Sequence, residues 1–253
     1  MNNLIGIAQS GLATTEFSLE TVGNNLANAN TPGYGELQST VLDQAPLSIR
    51  PANTVLANTV LAPDLVEGSG AAIGPDSVSF SNDVTSTGVP TNLAIQGNGF
   101  FVVTTPGGQT AYTRAGAFST DANGTLVLPD GSVTNPPIKI PGNVPFSIGP
   151  DGTVTNTDTH QVLGKIQLAT FVNPGGLRAI GHSLFQPSQD SGAARLGSPG
   201  QGGVGSLLTG ALNASGVSMT QSMVSLVQAQ SAYLANTDGL KVDQAILQTT
   251  DTL

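Results

Sequence analysis

Heptad spacing at both ends of the chain restricts the available folds more than any other feature of the sequence. Near each terminus, apolar side chains recur at every seventh position, and further apolar or small residues fall between them. Spacings of three and four residues place side chains on one face of an α-helix and form the contact face of a coiled coil. The N-terminal seam is Ile5, Leu12, Leu19 and Leu26, and the C-terminal seam is Met219, Leu226, Tyr233, Leu240 and Leu247.

This spacing predicts a long amphipathic helix at each end. The second helix is expected to begin near Ser218 and to continue almost to Leu253. Its candidate N-caps are Ser215 and Ser218, and Gln221 completes a capping box from Ser218. We expect the two helices to pair within the chain as a coiled-coil-like stem. Two helices cannot bury several apolar columns by themselves, and exposed apolar stripes indicate partners. The remaining columns are therefore predicted to pack against neighbouring subunits.

Between the ends the periodicity changes to that of β-structure. From about residue 91 to residue 185, short apolar segments alternate with Asn-Gly, Asp-Gly and Pro-Gly turns, which is typical of antiparallel hairpins. The fold class predicted is α+β, with long N- and C-terminal helices around a central all-β domain. The domain plan is 1–44 plus 205–253 as a discontinuous helical stem, 45–90 as an extended connection with a few strands, 91–185 as the β domain, and 186–204 as a Gly/Ser-rich linker.

Composition excludes several function classes. Only 9% of the residues are charged, against about 25% in an average globular protein. The seven basic residues are scattered and the net charge is −9, so no basic stripe is available for nucleic acid or an anionic membrane. The absence of Cys excludes disulfides, thiol catalysis and Cys-bound metals. No stretch is apolar enough to span a membrane, and the N-terminus lacks the basic region of a secretory signal.

The candidate catalytic and metal-binding motifs in the sequence are each incomplete. His160 and His182 occur without a nucleophile elbow or a zinc motif, so exposed loop histidines are the better interpretation. "DANGTL" begins like a calcium loop but lacks the closing Glu, and a turn is the better interpretation. "GNGFFV" lacks the third glycine of a dinucleotide fingerprint, and nothing marks a carboxylate pair for glycoside hydrolysis. No catalytic residue, cofactor, metal or small-molecule substrate is predicted.

The stretch "GNNLANANTPGYGE", residues 23–36, is instead interpreted as a junction. Neutral amides can satisfy backbone groups in a crowded interface without the desolvation penalty of charge. Thr31, Pro32 and Gly33 are expected to end the first helix, since Pro32 disfavours helical Thr31 and Gly33 permits positive φ. The junction motif comprises Asn24, Asn25, Asn28, Pro32, Gly33 and Tyr34.

Three stretches carry a family resemblance. "NNLANANTPGYGE" resembles the N-terminal signature of bacterial flagellar rod, hook and hook-associated proteins. "NLAIQGNGFFVV…AYTRAGAFSTDANGTLV" resembles the β-domain motif of the rod and hook group, and "GALNASGVSMTQSMVSLVQAQSAYLAN…ILQTTDTL" resembles its C-terminal helix. Within this family, the length and the stretch "GKIQLATFVNPGGLRAIGHSLFQPSQDSGAA" are most similar to distal rod members, with proximal rod and short hook members as alternatives.

The resemblance implies a non-enzymatic axial subunit of the flagellum, in the periplasm-spanning rod of the basal body. It implies a helical homopolymer that contacts neighbouring rod and hook proteins and transmits torque from motor to hook. It also implies export in an unfolded state through the flagellar export apparatus, without a cleaved signal peptide. The alternative of another class is a secreted β-rich binding module or hydrolase, which predicts a monomer with a concave polar site.

Overall fold

A computed structural model describes residues 2–50, 65–142 and 144–250 of the chain. It has a long helix at each end and a β-rich middle, which confirms the predicted α+β class. Helix α1 is Asn2–Ala27 and helix α2 is Met219–Thr250. The start of α2 agrees with the predicted start near Ser218, and residues 251–253 lie outside the described residues.

Helix α1 ends earlier than predicted. Its last helical residue is Ala27, four positions before Thr31. The Asn28 N–H donates to the Asn25 carbonyl oxygen (3.0 Å), and the Thr31 N–H donates to the Asn28 carbonyl oxygen (3.0 Å). These bonds span three residues rather than four, as in the tightened last turn of many helices. Because asparagine is a poor helix former, the chain leaves the helix before Pro32 can end it.

The strands are short and occur in antiparallel pairs. The first eleven are β1 Glu36–Gln38, β2 Val41–Asp43, β3 Leu47–Arg50, β4 Leu65–Glu67, β5 Ala71–Ile73, β6 Ser77–Ser79, β7 Val84–Ser86, β8 Leu93–Gln96, β9 Phe100–Thr104, β10 Thr110–Thr113 and β11 Ser119–Thr120. The others are β12 Leu126–Val127, β13 Val133–Thr134, β14 Phe146–Ile148, β15 Thr153–Asn156, β16 Val162–Lys165, β17 Leu168–Thr170, β18 Arg178–Gly181, β19 Leu184–Gln186, β20 Arg195–Gly197, β21 Ser206–Thr209 and β22 Ala211–Asn213.

The chain divides into two compact units. The first contains the described parts of 1–24, 39–76 and 220–253, and the second contains 25–38 and 77–219. In the first unit, β2 pairs with β5 and β3 pairs with β4 as two-stranded ribbons. Of these strands, β3, β4 and β5 fall in the predicted extended connection, whereas β2 falls in the region assigned to the helical stem. Residues 51–64 of the connection lie outside the described residues.

Helix α1 contacts both other parts of the first unit. The Ala71 N–H of β5 donates to the Ser10 hydroxyl oxygen (3.2 Å). On another face of α1, a Cβ built on Gly11 would lie 3.0 Å from the side-chain amide of Asn236 in α2. A residue without a side chain therefore lets the α1 backbone approach α2 closely.

The second unit is built around a nine-stranded sheet. Its main path is β11-β12-β13-β9-β10-β19-β18, and β17 joins β9 to β20. A three-stranded sheet, β14-β15-β16, and the pairs β1-β6, β7-β22 and β8-β21 complete the unit. The predicted linker thus contains a strand, β20, and residues assigned to the helical stem form β21 and β22. β20 pairs with β17, β21 with β8 and β22 with β7. These pairings join distant parts of the chain, so local composition could not predict them.

Strand β9 forms the centre of the second unit because both of its faces are buried. Phe101 and Val103 point into one apolar cluster, and Phe100 and Val102 point into another. Successive side chains of a strand point to opposite faces, so the continuous apolar run "FFVV" serves two cores at once. The second cluster is rich in aromatic rings that meet edge to face, including Phe100 with Phe171 at 5.6 Å between centroids.

Candidate assembly surfaces and junction

Helix α1 buries its hydroxyl side chains more fully than its apolar seam. Thr14 and Thr21 are buried, whereas the members of the N-terminal seam are only partly buried. The two threonines lie two residues after Leu12 and Leu19, which is about half a turn around the helix. Their hydroxyls donate to carbonyl oxygens of the preceding turn, at 3.0 Å for Thr14 and 2.9 Å for Thr21. The N-terminal seam of Ile5, Leu12, Leu19 and Leu26 therefore remains partly uncovered.

The C-terminal seam is covered unevenly. Leu226 and Leu240 are partly buried, Met219 and Tyr233 are exposed, and the side chain of Leu247 lies outside the described ones. Contact between α1 and α2 is seen at Gly11 and Asn236. Coiled-coil packing of the two seams stays a prediction.

A second apolar face of α2 is open to solvent. Met223, Val227 and Leu234 expose 51%, 61% and 63% of their surface. Spacings of four and seven residues place them along one face of the helix, and we name them the exposed stripe. Val224 and Val242 are exposed beside it. Large apolar side chains in such a row mark an interaction surface rather than scattered surface residues.

At the junction, the side-chain amide of Asn25 forms the two backbone hydrogen bonds with β1 that a neighbouring strand would otherwise form. Its Oδ1 accepts the Leu37 N–H at 2.9 Å, and its Nδ2 donates to the Leu37 carbonyl oxygen at 2.7 Å. The Tyr34 hydroxyl also donates to Asn25 Oδ1 (3.3 Å). Asn25 is buried, so its own amide would be unsatisfied without these bonds. Burial, with a smaller contribution from Glu36, raises the pKa of Tyr34, which keeps the hydroxyl a donor.

The other amides of the junction motif are arranged differently. Asn24 is exposed, and Asn28 is partly buried and accepts from the Thr31 hydroxyl at 3.1 Å. The Ser215 hydroxyl donates to the Asn28 carbonyl oxygen (3.0 Å), which ties the end of α1 to the chain that precedes α2. Asn25 thus binds the backbone of β1 through both ends of its amide.

Gly33 has the positive φ that the sequence predicted, at 68°. It is buried, and a Cβ there would overlap the backbone of Arg114 and Ala115. The Gly33 N–H donates to the Asn213 carbonyl oxygen at 2.9 Å. Pro32 precedes this contact and is partly buried. The chain at Gly33 therefore lies directly against the backbone that follows β10.

Asn213 repeats the pairing seen at Asn25, and the sequence analysis did not identify it. Its Oδ1 accepts the Ile95 N–H at 2.8 Å, and its Nδ2 donates to the Ile95 carbonyl oxygen at 2.9 Å. It is almost fully buried. An asparagine at the end of an apolar segment, "GALN", is the one local signal for this role.

Arg114 is a buried cation that the sequence analysis counted only as a scattered basic residue. Its guanidinium donates to the carbonyl oxygens of Gly97 (2.6 Å), Gly99 (3.1 Å) and Ser81 (2.8 Å), and to Asn82 Oδ1 (3.0 Å). These bonds fix the "QGNG" turn between β8 and β9 to the chain that follows β6. Burial lowers the pKa of Arg114 to about 10. Its position inside a β-rich run, "AYTRAG", was the available signal.

The patterns weighed for metal binding and catalysis lie in turns of the described part of the chain. It contains no group of three or more His, Asp and Glu side chains placed to hold a metal ion. Asp121 of "DANGTL" accepts the N–H groups of Asn123 (2.9 Å) and Thr125 (2.6 Å), so the loop is an Asx-type turn. His160 and His182 are exposed in turns. Over the same residues, neither helix combines the length and apolar character needed to cross a bilayer.

Family comparisons match three parts of the chain. Residues 5–34 match "Flagella basal body rod protein", residues 94–156 match "Flagellar hook protein FlgE/F/G D1 domain", and residues 208–253 match "Flagellar basal body rod FlgEFG protein C-terminal". The three matches contain the junction motif, strand β9 with Arg114, and the exposed stripe, respectively.

Individual relatives extend the similarity to nearly the whole chain. The flagellar basal-body rod protein FlgG of Caulobacter vibrioides is 36% identical over 97% of both chains. FlgG of Bacillus subtilis is 36% identical over 94% of both chains. The flagellar hook protein FlgE of Salmonella typhimurium is 40% identical, but over only 43% of this chain and 28% of its own length.

Full-length similarity to rod proteins, against partial similarity to a hook protein, favours the rod interpretation over the hook one. It also argues against the secreted hydrolase. With two terminal helices around a β-rich middle, this chain belongs to the flagellar rod and hook protein family, as a structural, non-enzymatic member of its basal-body rod group.

Proposed function

We propose that this chain polymerises helically with copies of itself to build the flagellar basal-body rod, in its distal part. The observation that carries the proposal is the exposed stripe of α2, Met223, Val227 and Leu234. Burying one such side chain contributes about 1.5–3 kcal/mol. Each copy has three of these side chains, and burying them at every contact between copies favours the polymer over the monomer.

The partly buried N-terminal seam supplies a complementary surface. Its members face away from the buried threonines of α1, so they are available to a neighbouring α2. A contact between two different surfaces of the same protein repeats without closing, and it generates an open helical array when its rotation does not close a ring. We therefore assign Ile5, Leu12, Leu19 and Leu26, together with the C-terminal seam, to contacts in the assembly.

Low charge density favours dense packing. Only 9% of the residues are charged, and α1 carries Glu16 and Glu20 as its charged side chains. Burying a charge without a partner is expensive, whereas hydroxyls and amides can be satisfied locally. The helices of many copies can thus be brought together without desolvating ion pairs.

The remaining parts of the proposal follow from family membership. The neighbours of the homopolymer are other rod proteins and the hook, and the assembled rod transmits torque from motor to hook. The chain reaches the rod through the flagellar export apparatus without a cleaved signal peptide. Because the N-terminal seam is only partly buried and the exposed stripe of α2 is uncovered, we expect the two helices to order fully only on assembly.

The test compares charge substitutions on different faces of the helices. Leu234→Asp, Leu226→Asp and Leu19→Asp each place a carboxylate in a proposed contact, while Gln228→Asp places one on another face of α2. Truncating a buried Leu costs about 2–5 kcal/mol, and an unpaired charge adds to that. The three Leu variants should lose polymer by electron microscopy and light scattering, with unfolding of the β-rich unit unchanged. Normal polymerisation of Leu234→Asp would overturn the proposal.

A further inference from the structure

A cleft of about 490 Å³ opens on the second unit, close to Arg114. Its inner wall combines the rings of Phe80, Phe100 and Phe171 with the guanidinium of Arg114. Its rim includes Val172, which exposes 75% of its surface, and the exposed pair Gly202 and Gly203. The cleft is therefore lined by aromatic rings and polar groups, with the guanidinium of Arg114 among them.

The guanidinium of Arg114 lacks a counter-ion in the described part of the chain. Arg114 is 4% exposed, and all four oxygens that it contacts belong to neutral groups. The described residues contain one ion pair, Lys241 with Asp238. The guanidinium carbon also lies 5.4 Å and 5.8 Å from the ring centroids of Phe100 and Phe80. Rings and carbonyl dipoles stabilise a cation, but a carboxylate does so more strongly.

Carboxylate side chains outnumber basic side chains in the same protein. The chain has 16 acidic residues and seven basic ones. Several acidic side chains are exposed, including Asp83, Asp158 and Asp190. Charge complementarity therefore points to an acidic side chain of another copy, because a homopolymer brings such surfaces together at high local concentration.

We propose that this cleft binds an acidic side chain of a second copy of the chain, whose carboxylate provides the missing counter-charge for Arg114. The proposal rests on the proposed function, since it requires contacts between copies. It adds a polar contact between β-rich units to the apolar contacts between helices. A contact of this kind fixes orientation more than it adds affinity.

The first experiment captures the partner residue chemically. Val172→Lys places an amine at the rim of the cleft, and a carbodiimide joins an amine to a carboxylate that is in contact with it. Val162→Lys is the matched control, because Val162 is a 60% exposed valine that does not line the cleft. Mixed isotope-labelled and unlabelled full chains distinguish links between copies from links within one copy.

We expect the Val172→Lys chain to link to an acidic residue of another copy about tenfold more than the Val162→Lys chain. Mass spectrometry then identifies the acidic residue. Equal linking of the two variants, or links within single copies only, would overturn the proposal. Light scattering on the unmodified chain reports separately whether it polymerises, so failure of the proposed function is distinguished from failure of this cleft.

The second experiment supplies the counter-charge from within the chain. Asn82→Asp puts a carboxylate 3.0 Å from the guanidinium with little change of shape. We expect this variant to unfold at higher denaturant concentration and to associate about tenfold more weakly, because Arg114 no longer needs an external carboxylate. Asn82→Ala is the control, which removes the bond without adding charge and should be less stable. Unchanged association of Asn82→Asp would contradict the proposal.

Discussion

The side-chain amide of Asn25 binds the backbone of Leu37 through two hydrogen bonds, at 2.9 Å and 2.7 Å. Leu37 lies in β1, which pairs with β6 on its other side. A helix end thus occupies the free edge of a strand, and it satisfies backbone groups that would otherwise have to find water. The bonds join residues 12 positions apart, so they fix the direction in which the chain leaves α1.

The first prediction concerns this amide. Asn25→Asp keeps the size of the side chain but turns the Nδ2 donor into an oxygen that faces the Leu37 carbonyl oxygen. A lost bond with a buried unsatisfied partner costs about 1–3 kcal/mol, and more when charge is involved. We expect a loss of stability at the upper end of that range, measured by urea unfolding at neutral pH. Asn30→Asp is the control, and equal effects at the exposed Asn30 and at Asn25 would contradict the assignment.

Gly33 leads to a second prediction, with Gly108 as its matched control. Both have positive φ, at 68° and 77°, but a Cβ at Gly108 has open space around it. Gly108→Ala should therefore lower the unfolding free energy by about 1–2 kcal/mol, which is the cost of placing Ala in a left-handed backbone conformation. Gly33→Ala must in addition displace the Arg114–Ala115 backbone and should cost more than about 3 kcal/mol. Equal losses in the two variants, measured by thermal and urea unfolding, would exclude close packing at Gly33.

The third prediction tests whether Arg114 acts through its planar geometry or only through its charge. Lysine keeps the charge but cannot reach the Gly97, Gly99 and Ser81 oxygens together. Arg114→Lys should lower the unfolding free energy by about 3 kcal/mol, since bonds to a charged group contribute about 1.5–3 kcal/mol each. Arg178→Lys, at an exposed Arg bonded to Gln186, should stay within about 0.5 kcal/mol of the parent protein. A similar small change at Arg114 would show that its fork of bonds is dispensable.

The fourth prediction concerns acid stability. Hydrogen bonds from the Thr153 hydroxyl and N–H lower the pKa of Asp151 below its ordinary 3.8, and the Thr125 N–H does the same for Asp121. A carboxyl with a depressed folded-state pKa stabilises the protein above its unfolded pKa, and that stability is lost as the pH falls through the folded value. Unfolding free energies should therefore drop below about pH 4. Asp151→Asn should show a smaller drop than the parent chain, and an identical acid profile would disprove the contribution of this turn.

The fifth prediction compares two helical glycines. A Cβ on Gly239 of α2 meets nothing within 4 Å, whereas one on Gly11 of α1 meets the Asn236 amide at 3.0 Å. Gly239→Ala should raise the helix content of the monomer, because Gly is about 0.8–1.0 kcal/mol less favourable than Ala in a helix interior. Gly11→Ala should give a smaller gain or a loss, since Asn236 must move. Circular dichroism of both variants measures the difference, and equal gains would rule out close packing at Gly11.

Features with a regular period were predictable from the sequence. The heptads predicted both helices, and the capping box at Ser218 placed the start of α2 within one residue. The apolar "FFVV" run between turn residues predicted β-structure in the middle. The sequence also identified Gly33 as a residue that permits positive φ, and its φ is 68°. These features depend on local backbone geometry, which nearby residues determine.

The buried polar contacts could not be predicted in the same way. Asn213 and Ile95 are 118 positions apart, and Arg114 contacts residues 15 to 33 positions away. The sequence showed one asparagine among many and one basic residue among seven. Which amide is buried, and which carbonyl oxygens surround a cation, depends on how distant strands pack.

The same distinction holds for α1. The sequence itself determined that the helix forms and that Leu12 and Leu19 share a face. Only the tertiary structure decided that the opposite face, with Thr14 and Thr21, is the one buried within the chain. The physical reason is that threonine hydroxyls bond to carbonyl oxygens of their own helix, at 3.0 Å and 2.9 Å here, so they can be buried without another partner. Apolar periodicity reports which side chains avoid water, but it does not report which surface will cover them.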